Sequence, residues 1–187
     1  LRQKIVAQDN LWIQEQVLEL HYAEIAEILD NLTNDEAKFI YFMVDEDTQA
    51  DILMELEEEV RDRFLASLSS KEMADQLENL DSDDAADILN SMDTTQGKEI
   101  LRTLEDKEHS KNISSLLKFA DNEAGGLMAK ELVKVEESLS VLKCLNAMRA
   151  QAEEVTRVHS IYVVDEKNVL KGRLSLKDLI TANSGAI

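Results

Sequence analysis

Asn79-Leu-Asp-Ser-Asp-Asp-Ala-Ala-Asp-Ile-Leu-Asn-Ser-Met-Asp93 reads as the start of an amphipathic helix. Leu80, Ala85, Ile88, Leu89 and Met92 mark a buried side. Asp83 and Asp87, four apart, share a polar face one turn from each other. Two like charges so placed repel. Oxygen donors without histidine or cysteine beside them suit a hard divalent cation, and magnesium takes one or two carboxylates while keeping several waters. A second explanation stands beside this one: Ser82 or Asp81 can cap the helix, and the helix dipole favours acids in a first turn without any ligand.

Working outward from this stretch, the sequence repeats itself. Leu29, Leu53, Leu77 and Leu101 are spaced by 24 residues, as are Leu32, Leu56, Leu80 and Leu104. Tyr41, Leu65, Leu89 and Ile113 keep the register, with Val44, Leu68, Met92 and Leu116, and with the smaller Ala26, Ala50 and Ala74. The paired columns place two short helices in each unit. Neither helix can bury its apolar stripe alone, so the units must stack into a small α-solenoid over residues 1–119. Ile5, Val17 and Leu20 supply an incomplete unit in front. The turns inside the units are polar: Thr33-Asn-Asp-Glu36, Glu57-Glu-Glu59, Asp81-Ser-Asp-Asp84 and Glu105-Asp-Lys-Glu108. Acids suit solvated helix starts, and the third turn differs by adding Asp87 on the helix itself. Trp12, Phe39, Phe42 and Phe64 are expected to fill the core, and His21 and His109 to lie at the surface.

Composition agrees with a mainly α chain. It has no proline, five glycines and 44% hydrophobic residues in 187, which favours packed helices over disorder. Thirty-nine acids against twenty bases give a formal charge of −19. That charge repels nucleic acid and anionic headgroups and attracts cations or basic surfaces. The single cysteine, Cys144, excludes an internal disulfide and reads as an inert core thiol in a reducing compartment. No apolar run is long enough to span a bilayer, and no secretory signal opens the chain. Leu1 in place of methionine suggests a piece of a longer polypeptide.

Residues 120–130 form a joint with Gly125-Gly126, whose glycines permit backbone angles closed to other residues and let a main-chain carbonyl approach an ion or another segment. Beyond it the period changes to an α/β pattern over residues 131–187. Leu132-Val-Lys-Val135 reads as a strand and Ser138 as the start of a helix through Val141, Leu142, Leu145 and Met148. Strands Ser160–Asp165 and Val169–Ser175 follow, with a closing helix from Leu176 to Ala182. Ser175 and Asp178, three apart at the last strand-to-helix junction, can form a capping box variant or hold the hydroxyls of a ribose.

This second region resembles a CBS motif in Ile161-Tyr-Val-Val-Asp165, Val169-Leu-Lys-Gly172 and Leu174-Ser-Leu-Lys-Asp-Leu179. With Asp121-Asn-Glu-Ala-Gly-Gly-Leu-Met128 in front and Ser82-Asp-Asp-Ala-Ala-Asp87 in the helical part, the chain is similar to the cytosolic N domain and first CBS motif of bacterial MgtE-type magnesium transporters. The resemblance implies a dimeric channel at the cytoplasmic face of the inner membrane, closed when magnesium held by the N domain favours a compact arrangement. It implies Asp83, Asp87 and the Gly126 carbonyl as Mg2+ ligands. It also implies ATP contacts at Lys177 and Asp178, with Ser175 beside them. Relatives can offer tyrosines where this chain has His159-Ser160, so adenine stacking there is not implied. The second CBS motif and the transmembrane pore domain, the partners this region would act on, are not in the sequence.

Two other functions fit the same residues: an acidic solenoid that displays a surface to a protein partner, and an adenine-nucleotide sensor working through the CBS unit. The sequence contains no nucleophile elbow, P-loop or H-E-x-x-H pattern, so an enzyme is not expected.

Overall fold

In the computed structural model, residues 1–120, 122–151, 155 and 160–183 are described. The chain divides into two units, Leu1–Gly126 and Leu127–Ile187. The first unit holds ten helices among its described residues: α1 (Arg2–Val6), α2 (Asn10–Gln16), α3 (Tyr22–Asp30), α4 (Asn34–Tyr41), α5 (Glu46–Glu55), α6 (Glu58–Leu65), α7 (Ser70–Leu77), α8 (Ser82–Asn90), α9 (Thr94–Thr103) and α10 (Lys107–Leu116).

The period of 24 is a structural period. Helices α3, α5, α7 and α9 begin at residues 22, 46, 70 and 94, and α2, α4, α6 and α8 at 10, 34, 58 and 82. The first helices of successive units lie side by side, α3 on α5, α5 on α7 and α7 on α9. Among the second helices α4 packs on α6 and α8 on α10. Nearly every column residue is buried: Leu29, Leu53, Leu77, Leu56, Leu80, Leu104, Tyr41, Leu65, Leu89, Ile113, Val44, Leu68 and Leu116 all belong to one continuous core. Removing a Leu or Ile side chain from water contributes about 1.5–3 kcal/mol, so stacking supplies what a helix pair of this length cannot supply alone. One polar group is built into that core. The Tyr41 hydroxyl lies 2.5 Å from Gln76 Oε1 and 3.1 Å from the Gln49 carbonyl, while Gln49 Nε2 donates to the Val44 carbonyl at 2.8 Å. A buried hydroxyl without such acceptors would cost on the order of 1–3 kcal/mol. Burial also pushes the Tyr41 phenol upward, so it stays a donor at any ordinary pH.

Three aspects differ from the expectation. Phe42 closes the end of α4 and is 42% exposed, because the turn at Phe42-Met43 directs Val44 rather than Phe42 into the core. His109 is half-buried, its Nε2 3.0 Å from the Leu77 carbonyl. The joint needs glycine for space rather than for angle, since no described glycine has a positive φ. A Cβ on Gly125 would lie 2.4 Å from Cγ of Phe119.

The second unit is a three-stranded sheet, β1 (Val133–Glu136), β2 (Ile161–Val164) and β3 (Leu170–Leu174), in the order β1-β2-β3, with α11 (Val141–Gln151) and α12 (Leu176–Thr181). β1 runs parallel to β2, pairing Val133 with Ile161, and β3 runs antiparallel to β2, pairing Ile161 with Leu174. The parallel pair needs a crossover, which α11 provides. Val133, Val135, Cys144, Ile161 and Leu179 form the core. Helix α11 starts at Val141 instead of Ser138 because the Glu137 amide still donates to the Val164 carbonyl at 2.9 Å and a turn then bonds the Leu139 amide to the Glu136 carbonyl. The β2–β3 turn is held by Asp165, whose Oδ1 accepts from the amides of Lys167 and Val169. Asn168 there takes the left-handed conformation at φ 60°, which asparagine tolerates. His159, and Asp121 of the joint, lie outside the described residues.

Candidate metal centre on helix α8

The second helix of each repeat begins on a polar turn, and the turns are not alike. At α4 the turn closes on itself: Glu36 N donates to Thr33 Oγ1, and the Glu36 carboxylate accepts from the Thr33 amide at 3.0 Å. These bonds hold the Glu36 carboxyl below the usual range. At α8 the position of the threonine is taken by Asp81, whose side chain makes no cap hydrogen bond to the helix. Asp84 stands where Glu36 stands, two repeats on. A hydroxyl that could share a proton is replaced by a second carboxylate, and a reciprocal box cannot form between two acceptors.

The electrostatic result is opposite in sign. Asp84 is pushed up to about 6, first by burial and then by the charges of Asp83, Asp81 and Asp87, with Arg61 on α6 acting against them. Asp83 and Asp84 are half-buried, Asp87 is exposed, and Ser82 is wholly buried beneath the turn. Asp83 and Asp87 therefore sit on α8 as their spacing required. The spacing passed over Asp84, whose carboxyl is pushed up by burial. The signal was in the sequence as a broken capping box, Asp81-x-x-Asp84 where a hydroxyl and an acid belong.

The donor set fits a hard cation: four carboxylates within seven residues and no thiolate or imidazole among them. Among the described residues no three acids, histidines or cysteines already converge at metal-holding distance, so any ion here would keep much of its water. Gly126 ends the first unit in the turn after α10, its amide donating to the Glu123 carbonyl at 3.0 Å. Ser175, Lys177 and Asp178 lie in the other unit, at the start of α12. There the capping alternative is realised: Ser175 Oγ donates to Asp178 Oδ2 at 2.6 Å and accepts from the Asp178 amide at 3.0 Å. Lys177 is exposed beside them.

Residues 20–122 match the family model of the MgtE intracellular N domain. The chain belongs to that family. Residues 124–185 match the CBS domain. The magnesium transporter MgtE of Thermus thermophilus is 45% identical over 71 residues, covering 38% of this chain and 16% of that protein. The magnesium transporter MgtE of Enterococcus faecalis is 34% identical over 73 residues, covering 39% and 16%. The chain thus aligns with only about a sixth of the length of these MgtE relatives. Two solved structures share the fold. One is the soluble part of a magnesium transporter, with TM-score 0.84 and 27% identity over 98% of this chain and 72% of that one. The other is the cytosolic domain of the Mg2+ channel MgtE in complex with ATP, with TM-score 0.88 and 30% identity over 100% and 76%. The α-solenoid followed by a CBS-type unit is therefore the MgtE arrangement. The two named curated relatives are magnesium transporters. No described helix is long and apolar enough to cross a membrane.

Proposed function

We propose that this chain is the cytosolic regulatory region of a magnesium transporter or channel, at the inner face of a bacterial inner membrane. It senses Mg2+ through Asp83 and Asp87 with the Gly126 carbonyl, and closes onto the CBS region when the ion is bound. Its partners in this reading are the pore domain, a second CBS motif and a second copy of itself. The observation that supports it is the acidic turn at α8, where burial and then the charges of Asp83, Asp81 and Asp87 push the Asp84 carboxyl up to about 6. A turn of this kind resists apposition to another acidic surface while bare, and a divalent cation removes the resistance.

Magnitude then decides how many ions are needed. One site held at ten times its dissociation constant adds about 1.4 kcal/mol to the closed state, whereas moving a population from mostly open to mostly closed takes about 5.5 kcal/mol. Several weak sites must act together, which suits a chain with 39 acids.

Limited proteolysis of the joint at residues 120–130, followed with and without millimolar magnesium, tests the reading. Cleavage should slow in magnesium and cease to respond in the Asp83→Asn/Asp87→Asn chain. Equal rates for the unmodified chain in both conditions would sink it.

The ATP-bound relative favours a second ligand at the CBS unit. Lys177 would meet the phosphates, and Ser175 and Asp178 the ribose, once their mutual hydrogen bond opens. Titration of this chain with ATP against the Asp178→Asn variant tests that reading, and equal affinities would remove Asp178 from it.

A further inference from the structure

The sheet of the second unit ends on two edge strands, β1 and β3, and their sequences differ. β3 carries Lys171 and Arg173, both exposed, and its register with β2 shifts between Val163 and Val164. Like charges and an irregular ladder keep an edge from pairing with another edge. β1 has neither device. It is the regular run Val-Lys-Val-Glu, with Val133 and Val135 buried and Lys134 and Glu136 exposed.

Backbone groups alternate along a strand. The Glu137 amide donates to the Val164 carbonyl of β2 at 2.9 Å, so the groups of Lys134 and Glu136 point away from the sheet. Both groups of Lys134 are taken by one side chain. Its amide donates to Gln151 Oε1 at 3.1 Å, and Gln151 Nε2 donates to its carbonyl at 2.9 Å. A primary amide that accepts from and donates to one residue reproduces the pair of bonds that a neighbouring antiparallel strand makes there. Gln151 Nε2 also donates to the Ala147 carbonyl at 3.1 Å, which ties the side chain to its own helix, α11.

We infer that Gln151 guards the β1 edge: it fills the place of a fourth strand and holds off antiparallel pairing of β1 with β1 of a second copy of this chain. The sequence of β1 selects that occupant. Two copies aligned about Val135 set Lys134 of each opposite Glu136 of the other, which makes two opposite-charge pairs on the exposed face and brings the outward backbone groups into bonding register. β3 aligned with itself about Gly172 would set Lys171 against Arg173 instead. Gln151 is the last residue of α11, and helices fray from their ends. Local loosening of that last turn therefore lifts the guard without unfolding the sheet. The device involves no ion and is independent of the α8 turn.

Sedimentation equilibrium in about 0.15 M sodium chloride, where screening limits the self-repulsion of the acidic chain, tests it. Gln151→Met keeps the length of the side chain and removes both bonds to Lys134, and circular dichroism confirms its fold. This variant should self-associate about tenfold more tightly than the unmodified chain, or tighter still. Adding Glu136→Lys should abolish the gain, and so should adding Lys134→Glu. Mixing those two doubly substituted chains should restore it, since each then meets opposite charges across the pair. A Gln151 that merely steadies β1 would move none of these readouts. Gln151→Met that sediments like the unmodified chain overturns the inference, and so does a gain that survives Glu136→Lys, because another surface would then be responsible. If Gln151→Met does not fold, hydrogen exchange in the unmodified chain decides: protection of the Lys134 amide should be independent of protein concentration, and protection that grows with concentration means that the edge is paired rather than guarded.

Discussion

Asp84 shows how one side chain can carry the cost of a site. Its folded-state pKa of about 6 lies above the ordinary 3.8. Between those values the folded chain holds a proton that the unfolded chain has released. The contribution of Asp84 to stability is therefore fully present below about pH 4 and is lost as pH rises through 6. Asp84→Asn should stabilise the chain at pH 7.5 by about 1 kcal/mol, after the shift is discounted for a carboxyl that is only half withdrawn from solvent. Urea melts at pH 7.5 and pH 4 check this: the gain should be present at the first and absent at the second, and a loss at pH 7.5 would contradict it. The sequence showed Asp83 and Asp87 because helical spacing reports which residues share a face. It did not single out Asp84, because burial of a carboxyl depends on what packs over it. Gly125 has a similar history. Its place beside Gly126 marked a turn, but its requirement comes from the Phe119 ring, whose Cγ would lie 2.4 Å from an added Cβ. Gly125→Ala should cost about 1–3 kcal/mol, with much of it recovered in the Gly125→Ala/Phe119→Ala pair. A double-mutant cycle in denaturant measures the coupling, and strict additivity would show that the ring is not the obstacle.

At the scale of the helix, the N-cap position serves different ends. Ser69 and Glu72 close a capping box at α7 in both directions, with Glu72 Oε2 accepting from the Ser69 amide at 2.8 Å. These bonds hold the Glu72 carboxyl low. Ser69→Ala should therefore cost about 1 kcal/mol. At α6 the N-cap Glu57 makes no side-chain cap hydrogen bond, so Glu57→Ala should cost less than half as much. Thermal melts of the two variants side by side test the contrast, and equal losses would mean that Glu57 stabilises its helix after all. The period of the repeat was legible in the sequence, because column leucines fix the phase of the helices, while the helix bounds come from the structure. The α/β unit was legible in order but not in boundary. Helix α11 begins three residues late because β1 pairing runs on to Glu137, and hydrogen bonding to a distant strand leaves no local mark.

Over the whole molecule the charge is divided unevenly. Residues 1–126 carry thirty-one acids and eleven bases, and residues 127–187 carry eight acids and nine bases, so the formal charge of −19 resides in the solenoid. Stacked repeats are stabilised by nearest-neighbour interfaces, and self-repulsion acts against each of those interfaces. Raising sodium chloride from about 20 to 200 mM shortens the screening length from about 20 to 7 Å. That should raise the melting temperature of the solenoid while leaving β1–β3 and their helices nearly unchanged. Magnesium chloride at matched ionic strength should add a further rise, because an ion that binds only the folded carboxylate cluster stabilises by mass action in addition to screening. Hydrogen exchange separates the two effects by place: sodium should protect amides throughout α3 to α10, whereas the extra protection from magnesium should centre on α8 and its neighbours. The Asp83→Asn/Asp87→Asn chain should keep the sodium response and lose the magnesium excess. Superimposed melting curves in the two salts at equal ionic strength would mean that the acidic solenoid is merely screened, and that its charge serves solubility instead of ion recognition.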